Sequence, residues 1–370
     1  LTEICYTGGK PQTKNKMKVL VIGAGLFGCT CARLLADAGH KVKVIERGKK
    51  PGGICRDERR ASGLIVHTYG PHIFHTDNEQ IWSFINRFTS FNNYVHRVFS
   101  FVGGQYISFP PNKLTYQQLG IKGNGLTKDE HSLIFEKLFR DYSRKMWGED
   151  CFIGRPGLMG NTGLNVVQAA MKRIKWRDTF ETRMFLDKYQ GIPINGYSAM
   201  FDKMLEGIDV EYGRTFYHKD LLASLNEYHR IIYSGSLDVI SGYSEGELEY
   251  RTINFLEREV KDNLFGNAVI NFPEWEVPYT RATEHKYFYP DTADSFETSV
   301  VTYEVPASFR RGEGQERMYP VNDCYNTGLY KRYKEKLNYS NLYFGGRLGS
   351  YQYLDMDKVM WQAFSLVRGL

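Results

Sequence analysis

Val19-Leu20-Val21-Ile22-Gly23-Ala24-Gly25-Leu26-Phe27-Gly28 carries an apolar strand straight into a G-x-G-x-x-G turn. In a dinucleotide-binding βαβ unit the first glycine allows a tight bend and the second lets the backbone approach a diphosphate. The third permits close packing of helix on strand. The helix that follows offers free N–H groups and a positive dipole end to the phosphates. Such a pattern carries weight only in context. Here a strand precedes it, a helix follows over Cys29 to Ala38 with Gly39 closing it, and a second strand from Lys41 to Ile45 ends in the acid Glu46. An acid at that point accepts hydrogen bonds from a ribose hydroxyl.

Outward from this unit the texture changes three times. Lys50-Pro51-Gly52-Gly53 is a second glycine cluster just beyond Glu46. From His131 to Trp147, Leu133, Phe135, Leu138, Phe139 and Tyr142 recur near helical spacing, which predicts a helical insertion. Asn267 to Phe272 and Ser299 to Tyr303 alternate and are rich in β-branched and aromatic residues, with Pro273, Pro278 and Pro290 as punctuation, which predicts sheet. Near the end, Asn341 to Arg347 reads as a strand running into Gly345-Gly346, and Met356 to Leu370 as an amphipathic helix.

The expected division is a discontinuous Rossmann-like domain of residues 17–95, 190–245 and 315–370. A helical domain of residues 112–180, with a mobile loop near 170–180, and an antiparallel sheet domain of residues 96–111 and 246–314 are inserted into it. Residues 1–16 are polar and read as a flexible leader or tag, without the apolar core of a secretory signal.

Bulk properties narrow the class. At 370 residues the chain exceeds what one core usually serves. No apolar run approaches the roughly 20 residues that span a bilayer. The net charge of +6 is spread without basic blocks, which disfavours nucleic acid and suits a small anionic ligand. Six cysteines form no C-x-x-C pair, which points to a reducing cytoplasm. The 26 tyrosines exceed ordinary usage, and their hydroxyls are good phosphate donors.

The glycine turn, Glu46 and the Gly52-Gly53 pair together resemble FAD-binding proteins of the glutathione-reductase type, with Gly345-Gly346 serving the far end of an extended FAD. Further motifs resemble one family. They are Gly70 to Thr76 (GPHIFHT), Tyr142 to Gly148 (YSRKMWG), Tyr189 to Pro193 (YQGIP), Pro278 to Lys286 (PYTRATEHK), Tyr319 to Asp323 (YPVND), and Phe344 to Arg347 through Tyr353 and Asp355. In this order they are similar to the UDP-galactopyranose mutase family, and the resemblance runs from about residue 17 to 370.

The resemblance implies an isomerase that interconverts UDP-galactopyranose and UDP-galactofuranose, or a closely related sugar nucleotide. Reduced FAD would attack the anomeric carbon through N5 without net redox change. It implies cofactor contacts from Gly23, Gly25, Phe27, Gly28, Glu46, Arg47, Gly53, His72, His75, Gly346, Arg347, Asp355 and Met356. Arg177 matches a mobile-loop arginine that swings onto the diphosphate, and Arg281 and Arg347 would meet phosphate oxygens as guanidinium forks. Tyr189, Tyr319 and Tyr353 would donate to the same diphosphate, Phe139 and Tyr142 would border the uracil, Trp147 would line the site, and Asp355 would orient sugar hydroxyls. His75 would stabilise the reduced flavin; with only His72 beside it at H-x-x-H spacing, a metal is not expected.

The resemblance also implies an external flavin reductant, a cytoplasmic location, a role in cell-surface polysaccharide biosynthesis and a homo-oligomer such as a dimer. Two departures touch the sugar end: Met146 stands where the family commonly has Gln, and Pro273-Glu274-Trp275-Glu276 replaces a more neutral stretch. Two alternatives stay open at this point, an amine-oxidase-like FAD oxidoreductase and a non-catalytic nucleotide-binding relative.

Overall fold

The computed structural model describes residues 16–122, 126–148 and 174–370. The expected leader up to residue 15, and the parts of the helical domain and of the 170–180 loop within 123–125 and 149–173, lie outside the described residues.

The opening stretch forms β1 (Lys18–Ile22), α1 (Leu26–Asp37) and β2 (Lys41–Glu46). The helix begins at Leu26, three residues before the sequence pattern predicts, because Gly25 is its N-cap. β1 is the middle of a five-stranded, all-parallel sheet whose strands lie in the order Leu342–Phe344, Arg230–Tyr233, β1, β2, Asp209–Tyr212. Numbered along the chain this is the doubly wound order 3-2-1-4-5, with its switch point beside β1.

The unbroken apolar run of β1 follows from burial on both faces. Val19 and Val21 pack with Leu35 of α1 and with Met360 and Phe364 of the C-terminal helix Met356–Arg368. Leu20 and Ile22 pack on the other side with Leu329, Tyr333 and Leu337.

A seven-stranded sheet stands apart, in the order Tyr319–Pro320, Tyr250–Lys261, Thr298–Ser308, Arg281–Glu284, Val269–Asn271, Val98–Val102, Gln105–Phe109. Its backbone is the long antiparallel ladder from Arg251↔Ser308 to Lys261↔Thr298. One pair departs from the antiparallel expectation: Val269–Asn271 runs parallel to Val98–Val102. The two strands come from separate chain segments, and a parallel pair needs a long crossover, which the intervening residues provide.

The helical insertion is not the single helix that the spacing suggests. Helix Lys128–Phe135 opens with a Thr127/Glu130 capping box and passes through a π-helical turn, Glu136–Arg140. It resumes as Asp141–Trp147, which ends at Gly148 with φ +98°. The π-turn adds a residue to one turn and so rotates the second helix about the first.

Candidate active site

Two cavities adjoin at the carboxyl ends of the parallel strands. The first, of about 470 Å³, is walled by the glycine turn, β2's end, Gly52-Gly53, Ser234-Gly235 and Gly346. The second, of about 560 Å³, lies between the helical insertion and the seven-stranded sheet. Ile54, Arg347 and Met356 border both.

The first cavity is a backbone cradle. Gly23 holds φ +97°, and a Cβ there would stand 2.2 Å from Ser234 Oγ. At Gly28 a Cβ would meet Gly23 O at 1.8 Å, so this glycine serves helix packing and is not among the lining residues. Gly25 faces open space. The ring of Phe27 lies against Gly345 and Gly346, where a Cβ on Gly345 would overlap it at 2.1 Å, which explains the distant glycine pair.

The carboxylate of Glu46 accepts from Ala24 N at 2.6 Å and Gly48 N at 2.6 Å, so it builds the cradle as well as facing it. Arg47 reaches across the mouth to an ion pair with Glu316. Gly53 and Met356 line the same cavity. A glycine-walled space at a helix N-terminus fits a dinucleotide such as FAD.

The second cavity gathers most of the remaining predicted residues: His72, His75, Phe139, Tyr142, Trp147, Arg281, Tyr319, Arg347, Tyr353 and Asp355. Arg281 donates twice to Glu304, at 2.9 Å and 2.8 Å. Burial alone would lower its pKa, but the Glu304 carboxylate holds the guanidinium firmly protonated. Glu304 is buried and nearly neutralises it.

Arg347 is different. It donates from Nε to Leu354 O at 2.8 Å, lies 4.5 Å over the Tyr353 ring, and has no carboxylate partner among the described residues. Tyr353 stacks on Tyr319 at 5.7 Å, and Tyr319 meets Trp147 edge-on at 6.4 Å. Burial raises the pKa values of Tyr142 and Tyr319, so both remain hydroxyl donors at neutral pH.

His72 donates through Nδ1 to Gly70 O at 2.9 Å. A carbonyl can only accept, so the proton sits on Nδ1 and Nε2 is an acceptor. Burial first, and then the Arg347 charge, push the His72 pKa down to about 3. His75 stacks on Phe185 at 3.7 Å, and its Nδ1 lies 3.2 Å from Asp187 Oδ2 without hydrogen-bond alignment. The two histidines therefore engage different partners. Asp355 is the N-cap of the C-terminal helix by position but makes no side-chain cap bond.

Besides Gly28, two predicted residues are not brought to either cavity. Arg177 is buried with its guanidinium turned inward, donating to the carbonyls of Glu181 (3.0 Å), Arg183 and Met184 (3.3 Å). Those carbonyls satisfy the fork that the resemblance assigned to phosphate; Lys175 lines the cavity instead. Tyr189 lies in the strand Tyr189–Gly191 at the surface, stacked on Trp82 at 4.9 Å and donating to Glu79 at 3.0 Å. Its register partner there is Thr76, and it lines neither cavity.

Sequence reasoning missed Glu304, Asn271, Met184 and Phe185, all at or behind the cavity wall. The strand registers Asn271↔Arg281 and Arg281↔Glu304 place the first two beside Arg281, but that register is a long-range property.

Comparison with known proteins agrees with this geometry. The family described as UDP-galactopyranose mutase matches residues 137–353, and the family described as NAD(P)-binding Rossmann-like domain matches residues 21–88. The chain is 35% identical to a dTDP-fucopyranose mutase of Escherichia coli, over 94% of this chain and 96% of the relative. It is 34% identical to a probable UDP-galactopyranose mutase of Klebsiella pneumoniae, over 94% and 93%. A crystal structure of reduced UDP-galactopyranose mutase superposes with a TM-score of 0.69 at 15% identity, covering 95% of this chain and 93% of that one. Kinship along nearly the whole chain excludes a shared cofactor domain as the sole likeness, and this chain is an enzyme that belongs to the UDP-galactopyranose mutase family.

Proposed function

We propose that the chain interconverts UDP-galactopyranose and UDP-galactofuranose, with FAD in the first cavity and the sugar nucleotide in the second. The observation that carries this reading is Arg347, an arginine without a carboxylate partner among the described residues, at the border of both cavities. A cation there awaits an anion, and a diphosphate leaving the sugar gains charge in the transition state.

Gly23, Gly25, Phe27, Glu46, Arg47, Gly53, Gly346 and Met356 would hold the FAD. Bound in reduced form, FAD would supply a nucleophilic nitrogen toward the anomeric carbon, with no net redox change. Arg347 and Arg281 bind the diphosphate, and the Tyr319 and Tyr353 hydroxyls donate to it. Tyr142, Phe139 and Trp147 flank the base. Nε2 of His72 accepts a hydrogen bond at the junction, His75 closes the wall behind it, and Asp355 orients sugar hydroxyls. An external reductant, a cytoplasmic location, a dimeric assembly and a role in cell-surface polysaccharide biosynthesis belong to the same reading.

The test is incubation of the FAD-loaded, dithionite-reduced protein with UDP-galactofuranose and separation of products by chromatography. UDP-galactopyranose is expected; turnover confined to oxidised protein would overturn the reading. A second reading is a dTDP-linked 6-deoxyhexose substrate. It is favoured by the Escherichia coli relative's name and by the apolar Val98, Phe109, Met184 and Val269 on the cavity wall. Running dTDP-fucose in parallel separates the two by their kcat/KM ratio.

A further inference from the structure

Helix Asp141–Trp147 presents Tyr142, Ser143, Met146 and Trp147 to the substrate cavity, while Lys145 does not line it. The Lys145 Nζ lies 2.5 Å from Phe272 O, 2.8 Å from Glu274 O, 2.9 Å from Val277 O and 2.9 Å from Tyr279 O. Four carbonyls around one nitrogen form a cation cradle, filled here by a side chain that has three N–H donors and no acceptor.

The loop so gathered runs from the strand Val269–Asn271 into the strand Arg281–Glu284. Asn271 and Arg281, paired at its two ends, both line the cavity. The same helix is held from a third side. Arg251 of the long strand donates to Met146 O at 2.7 Å and Lys145 O at 3.3 Å, capping carbonyls left open at the helix end. Arg144 lies 4.1 Å over the Trp275 ring.

We propose that Lys145 is a positioning residue that ties the aromatic-bearing helix to the Arg281 loop and thereby sets the width of the substrate cavity. The proposal rests on the reading of that cavity as a sugar-nucleotide site. It explains why an unassigned lysine sits inside the Tyr142 to Gly148 motif. It also gives the Pro273-Glu274-Trp275-Glu276 stretch a task, which is to wrap an ammonium.

The charges facing Lys145 are Asp141 and Arg144 on its own helix, Glu274 and Glu276 on the loop, and Arg251 on the long strand. Burial outweighs the acids and pushes the Lys145 pKa down to about 8. Deprotonation leaves two donors and a lone pair aimed at carbonyls, so the cradle loosens on the alkaline side.

The test compares wild type with Lys145→Met, both FAD-loaded, measuring KM for UDP-galactofuranose, kcat and the Kd of UDP alone. Wild-type KM and Kd should stay level up to about pH 7.5 and climb toward about pH 9, with kcat at saturation nearly constant. Lys145→Met should show KM and Kd raised about tenfold at neutral pH, the worth of a charged hydrogen-bond set. It should lack the alkaline limb and keep wild-type FAD content. A variant with wild-type KM and Kd, or one losing kcat alone, would overturn the proposal. If the variant does not fold, the wild-type profile decides, and a Kd for UDP level to about pH 9 overturns it. A wild type that binds no UDP overturns the functional reading and this proposal together, whereas UDP binding with a level profile overturns this proposal alone.

Discussion

Arg281 and Arg347 bear the same charge in one cavity, yet their surroundings give them different tasks. Arg281 is matched by Glu304, so its charge is spent locally and its planar fork is fixed in place. Arg347 has no such carboxylate among the described residues, and in the proposed reading its charge is kept for a ligand. Arg347→Ala should therefore lower kcat/KM by the equivalent of about 2–5 kcal/mol, the usual cost of removing one partner of a buried charge contact. Arg347→Lys should recover only part of this, because a point charge cannot bridge two oxygens. Steady-state kinetics on both variants check the order; equal rates for Lys and wild type would argue against bidentate contact. Glu304→Gln should instead loosen Arg281, seen as a raised KM.

Local constraint explains what the sequence disclosed at this scale. Arg347 follows two glycines in the chain, so its setting is written in adjacent residues. Arg177 and Tyr189 are set by partners that adjacency does not encode. Arg177 is held by a loop that curls back onto it, and Tyr189 by Trp82 and Glu79 more than a hundred residues earlier. Residue type alone did not fix where either side chain goes.

At the scale of elements, β1, its turn and α1 were legible because the turn's needs are local: Gly23 bends at φ +97° and Gly28 packs against Gly23 O. Two of the turn's glycines separate folding from binding. Gly28→Ala would drive a Cβ into Gly23 O, backbone against backbone, so α1 must shift. We expect a loss of about 1–3 kcal/mol, as for other overpacked sites, together with loss of FAD. Gly25 has φ −74° and open space around it, so Gly25→Ala should fold as stably as wild type without cofactor. Its methyl enters the cavity, so FAD affinity should fall. Thermal denaturation with and without FAD distinguishes them; a Gly25→Ala protein that gains the wild-type Tm increment from FAD would contradict the cradle. The π-turn at Glu136–Arg140 was not legible, since its apolar spacing still reads as one continuous helix.

Across the whole molecule, the two-sheet architecture was visible as a change of texture, but strand pairing between distant segments was not. Neither was the interior where His67, His96 and His285 lie buried with the half-buried His72 beside them. His67, His72 and His96 are pushed down to about 3, chiefly by burial, and His285 well below its ordinary value. Each is neutral when folded and takes up a proton on unfolding below about pH 6.5. Their stabilising contribution is complete above that pH and is lost as pH falls toward 3. The slope should be ~1.4 kcal/mol per pH unit for each histidine. Denaturant unfolding at about pH 7, 6 and 5 should show falling stability, and imidazole NMR should show these four rings not titrating across that range. Titration of His67 near its free value would refute burial in the neutral form.

The parallel sheet also dictates an order of events during synthesis. β1 finds β2 within two dozen residues, but its other neighbour is Arg230–Tyr233, and the next is Leu342–Phe344. Emerging from the ribosome, the nascent chain must carry one open edge of β1 until more than two hundred further residues exist. The cofactor cradle gains its last wall, Gly346 and Met356, later still. Loading of FAD must thus wait for this stretch: a ribosome stalled before Leu342 would leave a chain with the fingerprint turn and nothing to close it.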